Sequence, residues 1–196
     1  MKFARLLLFF LLSVIAVTAI LSFMLPTRQK IERSIVINSS AAGIYNQLNK
    51  LENFNKFSVW SQQDSSAIYT LSGLDGTIGA TSSWKGSPEI SGEGKIEIAE
   101  LGTNKKVVHK IHFTKPQKGT AESIFTLLET NLATTTVTWT FYISTPRPWN
   151  IFNLFSSLDK QMGKDFEDGL AAMKAMIELS DNQIMPGNNQ LLNQLL

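Results

Sequence analysis

The chain has 196 residues, enough for one domain with short appendages, and it contains no cysteine. Structural disulfides, thiolate metal sites and a cysteine nucleophile are therefore excluded. The formal net charge is +2, but without Lys2 and Arg5, which flank the start of an apolar run, sixteen basic residues stand against sixteen acidic ones. This balance predicts no basic face, so we expect no nucleic-acid partner.

An uncharged run of twenty residues extends from Leu6 to Leu25. A helix of that length rises about 30 Å, the thickness of the hydrocarbon layer of a membrane. The alternative is a cleaved signal peptide, whose apolar core spans only about 7–15 residues and ends at a small-residue site. The run here is longer and ends in Phe-Met-Leu-Pro, so we predict a single-pass anchor within residues 1–28. Basic residues flank both ends and specify the orientation weakly; we expect the amino terminus inside and the rest outside.

The next stretch predicts one strand followed by short helices. Residues 29–37 alternate apolar and polar side chains, as in a half-buried strand, and Ser39 or Ser40 can cap a following helix. Residues 41–60 then carry apolar side chains at helical spacing, with a break near Glu52. We expect two short helices, or a helix and a turn, under one end of a sheet.

Six further strands are predicted between turns rich in glycine, proline and asparagine. They are expected at residues 67–72, 81–85, 92–100, 105–115, 120–129 and 134–144. The last has the cleanest alternation, with Val137, Trp139, Phe141 and Ile143 on one face. Since short turns join most neighbours, the strands predict one curved antiparallel sheet with an apolar concave face.

A connector rich in large apolar residues, residues 145–155, follows the last strand. Pro146 and Pro148 predict an extended path at its start. Trp149, Phe152 and Phe155 lie beyond them. Three interpretations stay open: the connector covers the mouth of a pocket, touches a bilayer, or packs as an ordinary link.

Residues 157–179 predict a long amphipathic helix across the sheet. Its apolar stripe is formed by Leu158, Met162, Phe166, Leu170, Met173 and Ile177. Gly169 lies inside this stripe, where glycine costs up to about 1 kcal/mol relative to alanine. It indicates either close packing on the sheet or room left for a ligand. Residues 180–196, rich in Asn and Gln, are expected to form a disordered tail or a short amphipathic end.

The order of one strand, two small helices, six strands and a long helix is that of the helix-grip fold. Residues 29–179 resemble the SRPBCC superfamily, also called polyketide cyclase/START-like or Bet v1-like, and the small bacterial proteins within it. The resemblance is carried by segments such as IERSIVINSSAAGIYNQLNKLENFNKFSVW, SSWKGSPEISGEGKIEI and DFEDGLAAMKAMIE. It implies an α+β fold, an inner-membrane location for the anchor and a hydrophobic ligand between sheet and helix. It does not specify the chemistry.

An apolar cavity in this fold would be lined from both the sheet and the long helix. The candidate ligand-binding residues are Trp60, Tyr69, Trp84, His109, Phe113, Phe125, Trp139, Phe141, Phe166, Gly169, Leu170 and Met173. For any one aromatic residue, simple core packing is the competing interpretation.

His109 and His112 are the chain's two histidines, three apart on one predicted strand. The odd separation places them on opposite faces, so they cannot share a metal ion. His109 shares the face of Ile111 and Phe113, where it would be either a pocket acid–base or a core histidine with a hydrogen-bond partner. We expect no metal and no cofactor.

Three functions follow from these observations. The first is a membrane-anchored module that binds a hydrophobic small molecule or lipid. The second is an enzyme of the polyketide cyclase or hydrolase type, with His109 as a weak catalytic candidate. The third is a protein-interaction module similar to domains that activate the Hsp90 chaperone, which would display an exposed apolar patch.

Overall fold

The computed structural model of the chain describes residues 2–131, 133–155 and 157–184. The elements are α1 (Lys2–Met24), β1 (Arg28–Ile37), α2 (Ala41–Leu48), α3 (Leu51–Phe57), α4 (Val59–Gln63), β2 (Ile68–Ser72), β3 (Thr81–Lys85), β4 (Glu93–Gly102), β5 (Lys106–Lys115), β6 (Gly119–Asn131), β7 (Thr134–Ser144), a 3-10 helix (Trp149–Leu154) and α5 (Leu158–Ile184). The predicted order of strands and helices is confirmed.

The seven strands form one antiparallel sheet in the order β1-β7-β6-β5-β4-β3-β2. The first strand therefore pairs with the last, with Ile31 opposite Phe141 and Ile35 opposite Val137. The remaining strands follow one another as hairpins. The sheet is curved, and its concave face carries the apolar side chains.

The long helix α5 lies across this concave face. Phe166, Leu170, Met173 and Ile177 are buried there, as the apolar stripe predicted. On the polar side, the Arg33 guanidinium of β1 pairs with Asp159 at 2.7 Å and with Glu167 at 2.8 Å, which links the first turns of the helix to the edge strand.

The last helix continues to Ile184, five residues beyond the predicted end at Leu179. Residues 180–184, the start of the segment predicted as a disordered tail or a short amphipathic end, are therefore helical. The rest of that tail lies outside the described residues.

Three short helices, rather than two, fill the space between β1 and β2. The Ser40 side chain accepts a hydrogen bond from the Gly43 amide and caps α2, as predicted. The amino end of α3 is capped from a distance, because the Asp75 carboxylate in the β2–β3 turn accepts from the amides of Leu51 and Glu52. Sequence reasoning could not find this cap, since its parts lie more than twenty residues apart.

The first helix, α1, is long and apolar enough to cross a membrane and exposes nearly all of its side chains. Ser22 in its last turn is the exception, because it is buried against the 3-10 helix. By length and composition alone, a signal sequence would pass the same test.

Candidate ligand cavity

A cavity of about 560 Å³ opens between the concave face of the sheet and the first turns of α5. Its floor is formed by Ile111 of the central strand β5 and Ile96 of the neighbouring β4. Met162 of α5 and the residues around α4 form its sides. The walls are mostly apolar, which suits a hydrophobic ligand with few polar groups.

Five of the predicted ligand-binding residues line this cavity. They are Trp60, Tyr69, Trp84, Phe113 and Phe141. They come from α4 and from four different strands, and only the curvature of the sheet brings them together. Their role in binding stays a prediction.

The other seven predicted residues are buried in the core and do not line this cavity. They are His109, Phe125, Trp139, Phe166, Gly169, Leu170 and Met173. The Trp139 ring fills the space between sheet and helix: its centroid is 4.3 Å from that of Phe166 and 4.9 Å from that of Phe125. The Trp139 indole also donates to the Ser123 hydroxyl at 2.7 Å, which fixes the ring in place.

Gly169 is explained by this packing and not by space for a ligand. A Cβ built on it would lie 3.0 Å from Cζ3 of Trp139 and 3.5 Å from the Phe57 carbonyl oxygen. The helix therefore approaches the tryptophan ring closely because residue 169 has no side chain.

His109 is fully buried, on the predicted face of β5, but it does not line the cavity. The Phe54 ring, which does line it, packs edge-on against the imidazole with centroids 5.4 Å apart. Neither ring nitrogen of His109 has a hydrogen-bond partner among the described residues, so it is a core histidine but without the partner that this alternative included. Burial lowers the pKa of His109 to about 4, so the ring is neutral at pH 7.

The mouth of the cavity is formed by the loops at one end of the sheet. They comprise residues 88–92, 115–119 and 144–146. Sequence reasoning missed the loops at 88–92 and 115–119, although their prolines and glycines mark turns. In an antiparallel sheet of successive hairpins every second turn lies at the same end, and this rule would have placed these loops together. The start of the connector, at residues 145 and 146, does line the cavity, in line with one of its three interpretations.

One of these loops is held by a buried carboxylate. Asp64 accepts hydrogen bonds from the Ser87 amide at 2.8 Å, from the Ser91 hydroxyl, and from both the amide and hydroxyl of Ser66. The Ser66 and Ser91 hydroxyls, with the amides, hold the pKa of Asp64 at about 2. The 87–91 loop is therefore an ordered part of the mouth.

Trp84 and Gly94 form a cross-strand pair at the cavity wall. A Cβ on Gly94 would lie 2.5 Å from the Trp84 ring and equally close to the His112 carbonyl oxygen, so only glycine lets the ring lie flat over the neighbouring strand. The Trp84 indole donates to the Ser91 carbonyl at 2.9 Å, and its ring packs edge-on against Phe113 at 5.9 Å. The close contact gives Gly94 a structural role in the cavity wall.

The cavity is also lined by polar residues, with Asn55, Ser58 and Ser61 on the side of α3 and α4 and most of the others near the mouth. The others include Glu89, Lys115 and Lys118 in the loops and the Tyr69 side chain on β2. Lys115 pairs with Glu93 at 3.1 Å. Within the described part of the chain, no group of three or more His, Asp or Glu side chains is placed to hold a metal ion.

No family model matches the sequence, and no curated protein matches it. Solved structures do match. Norcoclaurine synthase from Thalictrum flavum, in complex with dopamine and hydroxybenzaldehyde, has a TM-score of 0.55 at 12% identity, over 76% of this chain and 86% of its own.

Two further structures are similar. Ginseng major latex-like protein 151 from Panax ginseng has a TM-score of 0.53 at 12% identity, over 77% of this chain and 98% of its own. A protein from Chromobacterium violaceum has a TM-score of 0.54 at 10% identity, over 76% and 97%. At identities this low, the similarity establishes only the fold. The chain has the Bet v1-like helix-grip fold.

Proposed function

We propose that the chain is a membrane-anchored helix-grip domain that binds a hydrophobic small molecule or lipid in the cavity between sheet and α5. The observation that carries the proposal is the cavity itself, about 560 Å³ with aromatic and aliphatic walls. It is large enough for a drug-sized or lipid-like molecule. The structural relative from Thalictrum flavum holds two small aromatic molecules, which supports the same use of this fold.

The anchor is α1, whose exposed apolar surface would be costly in water. Its last turn is hydrogen-bonded to the domain through Ser22 and Asn150, an arrangement that a cleaved signal peptide would not need. The amino terminus inside and the domain outside remain the expected orientation.

The enzyme alternative receives less support. His109, its candidate acid–base, lies behind Phe54 and does not line the cavity. A catalytic group must come within hydrogen-bond reach of its substrate, directly or through one water. We therefore propose binding rather than catalysis.

The binding proposal is tested by native mass spectrometry of the full chain released from detergent micelles, with organic extraction of the bound material. We expect a stoichiometric hydrophobic ligand. Ile143→Trp, which fills the cavity from β7, should lose it. Leu128→Trp adds the same side chain at an exposed position of the neighbouring strand and should retain the ligand. A wild-type chain without ligand, or equal binding by both variants, would contradict the proposal.

A further inference from the structure

Large apolar side chains are exposed on the 3-10 helix and the residue that follows it. Within this segment, residues 149–155 and here termed the apolar turn, Trp149 is 60% exposed and Phe155 is 85% exposed. Phe152 and Leu154 are also exposed, and the rings of Trp149 and Phe152 stack with centroids 6.2 Å apart. Four adjacent side chains of this kind form a patch that a soluble surface rarely presents.

The apolar turn is attached to the end of α1 by a buried hydrogen-bond network. The Asn150 side-chain amide donates to the Ser22 carbonyl at 2.8 Å and to the Leu25 carbonyl at 3.1 Å, and the Ser22 hydroxyl donates to Asn150 Oδ1 at 2.6 Å. Arg147 donates to the Ser22 carbonyl as well, at 3.0 Å. These donors satisfy carbonyls that the last turn of a helix leaves unpaired. The position of the turn relative to α1 is therefore set by the fold.

This attachment determines the depth of the apolar turn in a membrane. Ser22 lies three residues before Leu25, the end of the uncharged run, which corresponds to about 4.5 Å along the helix axis. The apolar turn thus lies level with the last turn of α1, where the hydrocarbon layer meets the headgroups. Tryptophan is enriched at this level in membrane proteins, because its ring is apolar and its N–H is polar.

The mouth of the cavity opens at the same end of the sheet. Strand β1 begins directly after α1, with Arg28 opposite Ser144 at the end of β7, and the Thr145 amide donates to the Thr27 carbonyl. Thr145 and Pro146 line the cavity. A second, more open cavity of about 600 Å³ shares these two residues and is bounded by Thr27 and Arg147, next to the end of α1.

We propose that the apolar turn docks on the surface of the bilayer that α1 spans and thereby holds the cavity mouth against the lipid. The ligand is then a membrane amphiphile that enters from the bilayer, with its apolar part in the cavity. Lys118 and Arg147, which border the second cavity, favour an anionic headgroup at the mouth. This inference rests on the proposed membrane anchor.

The absence of cysteine from the chain permits a direct test with single labels. Phe155→Cys places a nitroxide on the apolar turn, and Leu74→Cys places one on an equally exposed apolar residue of the β2–β3 turn, at the opposite end of the sheet. The full chain is reconstituted into vesicles of phosphatidylcholine and phosphatidylglycerol. Collision of each label with oxygen, which concentrates in lipid, and with a water-soluble nickel chelate is measured by electron paramagnetic resonance.

We expect the label at 155 to collide more often with oxygen than with the chelate and the label at 74 to show the reverse. Quenching by brominated lipid provides a second measurement: it should be strong for the wild type and markedly weaker for Trp149→Phe. Vesicles that carry the chain while the label at 155 remains in water would overturn the docking but not the anchor, and would direct attention to a protein partner for the patch. A chain that does not float with vesicles would overturn both, whatever the mass spectrometry of the ligand shows.

Discussion

Replacing His109 tests whether this histidine is a structural residue with unpaired nitrogens. His109→Leu keeps a side chain of similar size among Phe54 and Phe125 but removes two buried polar atoms that have no partner in the described part of the chain. An unpaired buried polar group costs about 1–3 kcal/mol. After allowance for imperfect packing of leucine against the rings, we expect the variant to be more stable than the wild type by about 2 kcal/mol at pH 7.

The pH dependence of the free energy of unfolding supplies a second, independent value for the effect of His109. The folded-state pKa of His109, about 4, lies below the ordinary value of 6.5. Above pH 6.5 the ring is neutral in both the folded and the unfolded state, so titration contributes nothing. Between pH 6.5 and 4 only the unfolded state takes up the proton, so the folded state loses stability as the pH falls. At about 1.4 kcal/mol per pKa unit, the loss approaches 3 kcal/mol by pH 4.

The assay is urea unfolding of the full chain in nonionic detergent, followed by tryptophan fluorescence at a series of pH values. The difference in free energy of unfolding between His109→Leu and wild type should grow as the pH falls from 6.5 towards 4. His112→Leu is the matched control on the opposite face of β5: its ring is only partly buried, so its removal should not stabilise the fold at pH 7. A His109→Leu variant that is less stable than wild type, with a difference independent of pH, would refute the reasoning.

Two further predictions concern the cavity wall and its mouth. Gly94→Ala should lower the free energy of unfolding by about 3 kcal/mol in the same urea assay, because the new Cβ meets the Trp84 ring and a backbone carbonyl. Gly119→Ala is the control: its Cβ would make only an ordinary contact at 3.7 Å, so it should cost under about 1 kcal/mol. Asp64→Asn should destabilise the chain at pH 7, since the carboxylate accepts all its bonds in the charged form. The folded-state pKa of Asp64, about 2, lies below the ordinary 3.8, so the stability difference between Asp64→Asn and wild type should shrink as the pH falls from 3.8 to 2. A difference that stays constant over this range in thermal unfolding would contradict the role of the charged carboxylate.

Much of the fold could be predicted from local patterns, because each element carries its own signal. The alternation in β7 identified Trp139 and Phe141 as concave-face residues, and the stripe of α5 identified Phe166 and Leu170 as its buried side. The candidate site was harder. Trp139 and Phe141 share a face of one strand, yet only Phe141 reaches the cavity, because the gap between helix and sheet widens towards the first turns of α5.

By itself the sequence determined the order of strands and helices along the chain, the amphipathic helix and a run of residues long enough to span a membrane, since these depend on periodicity and length. Only the tertiary structure decided which aromatic side chains close the core and which leave a cavity, because that depends on how the helix crosses a curved sheet. The same is true of the contact between Ser22 and Asn150, which lie 128 residues apart. The pairing of β1 with β7 brings these two residues together and so places the end of α1, the apolar turn and the cavity mouth at one end of the molecule.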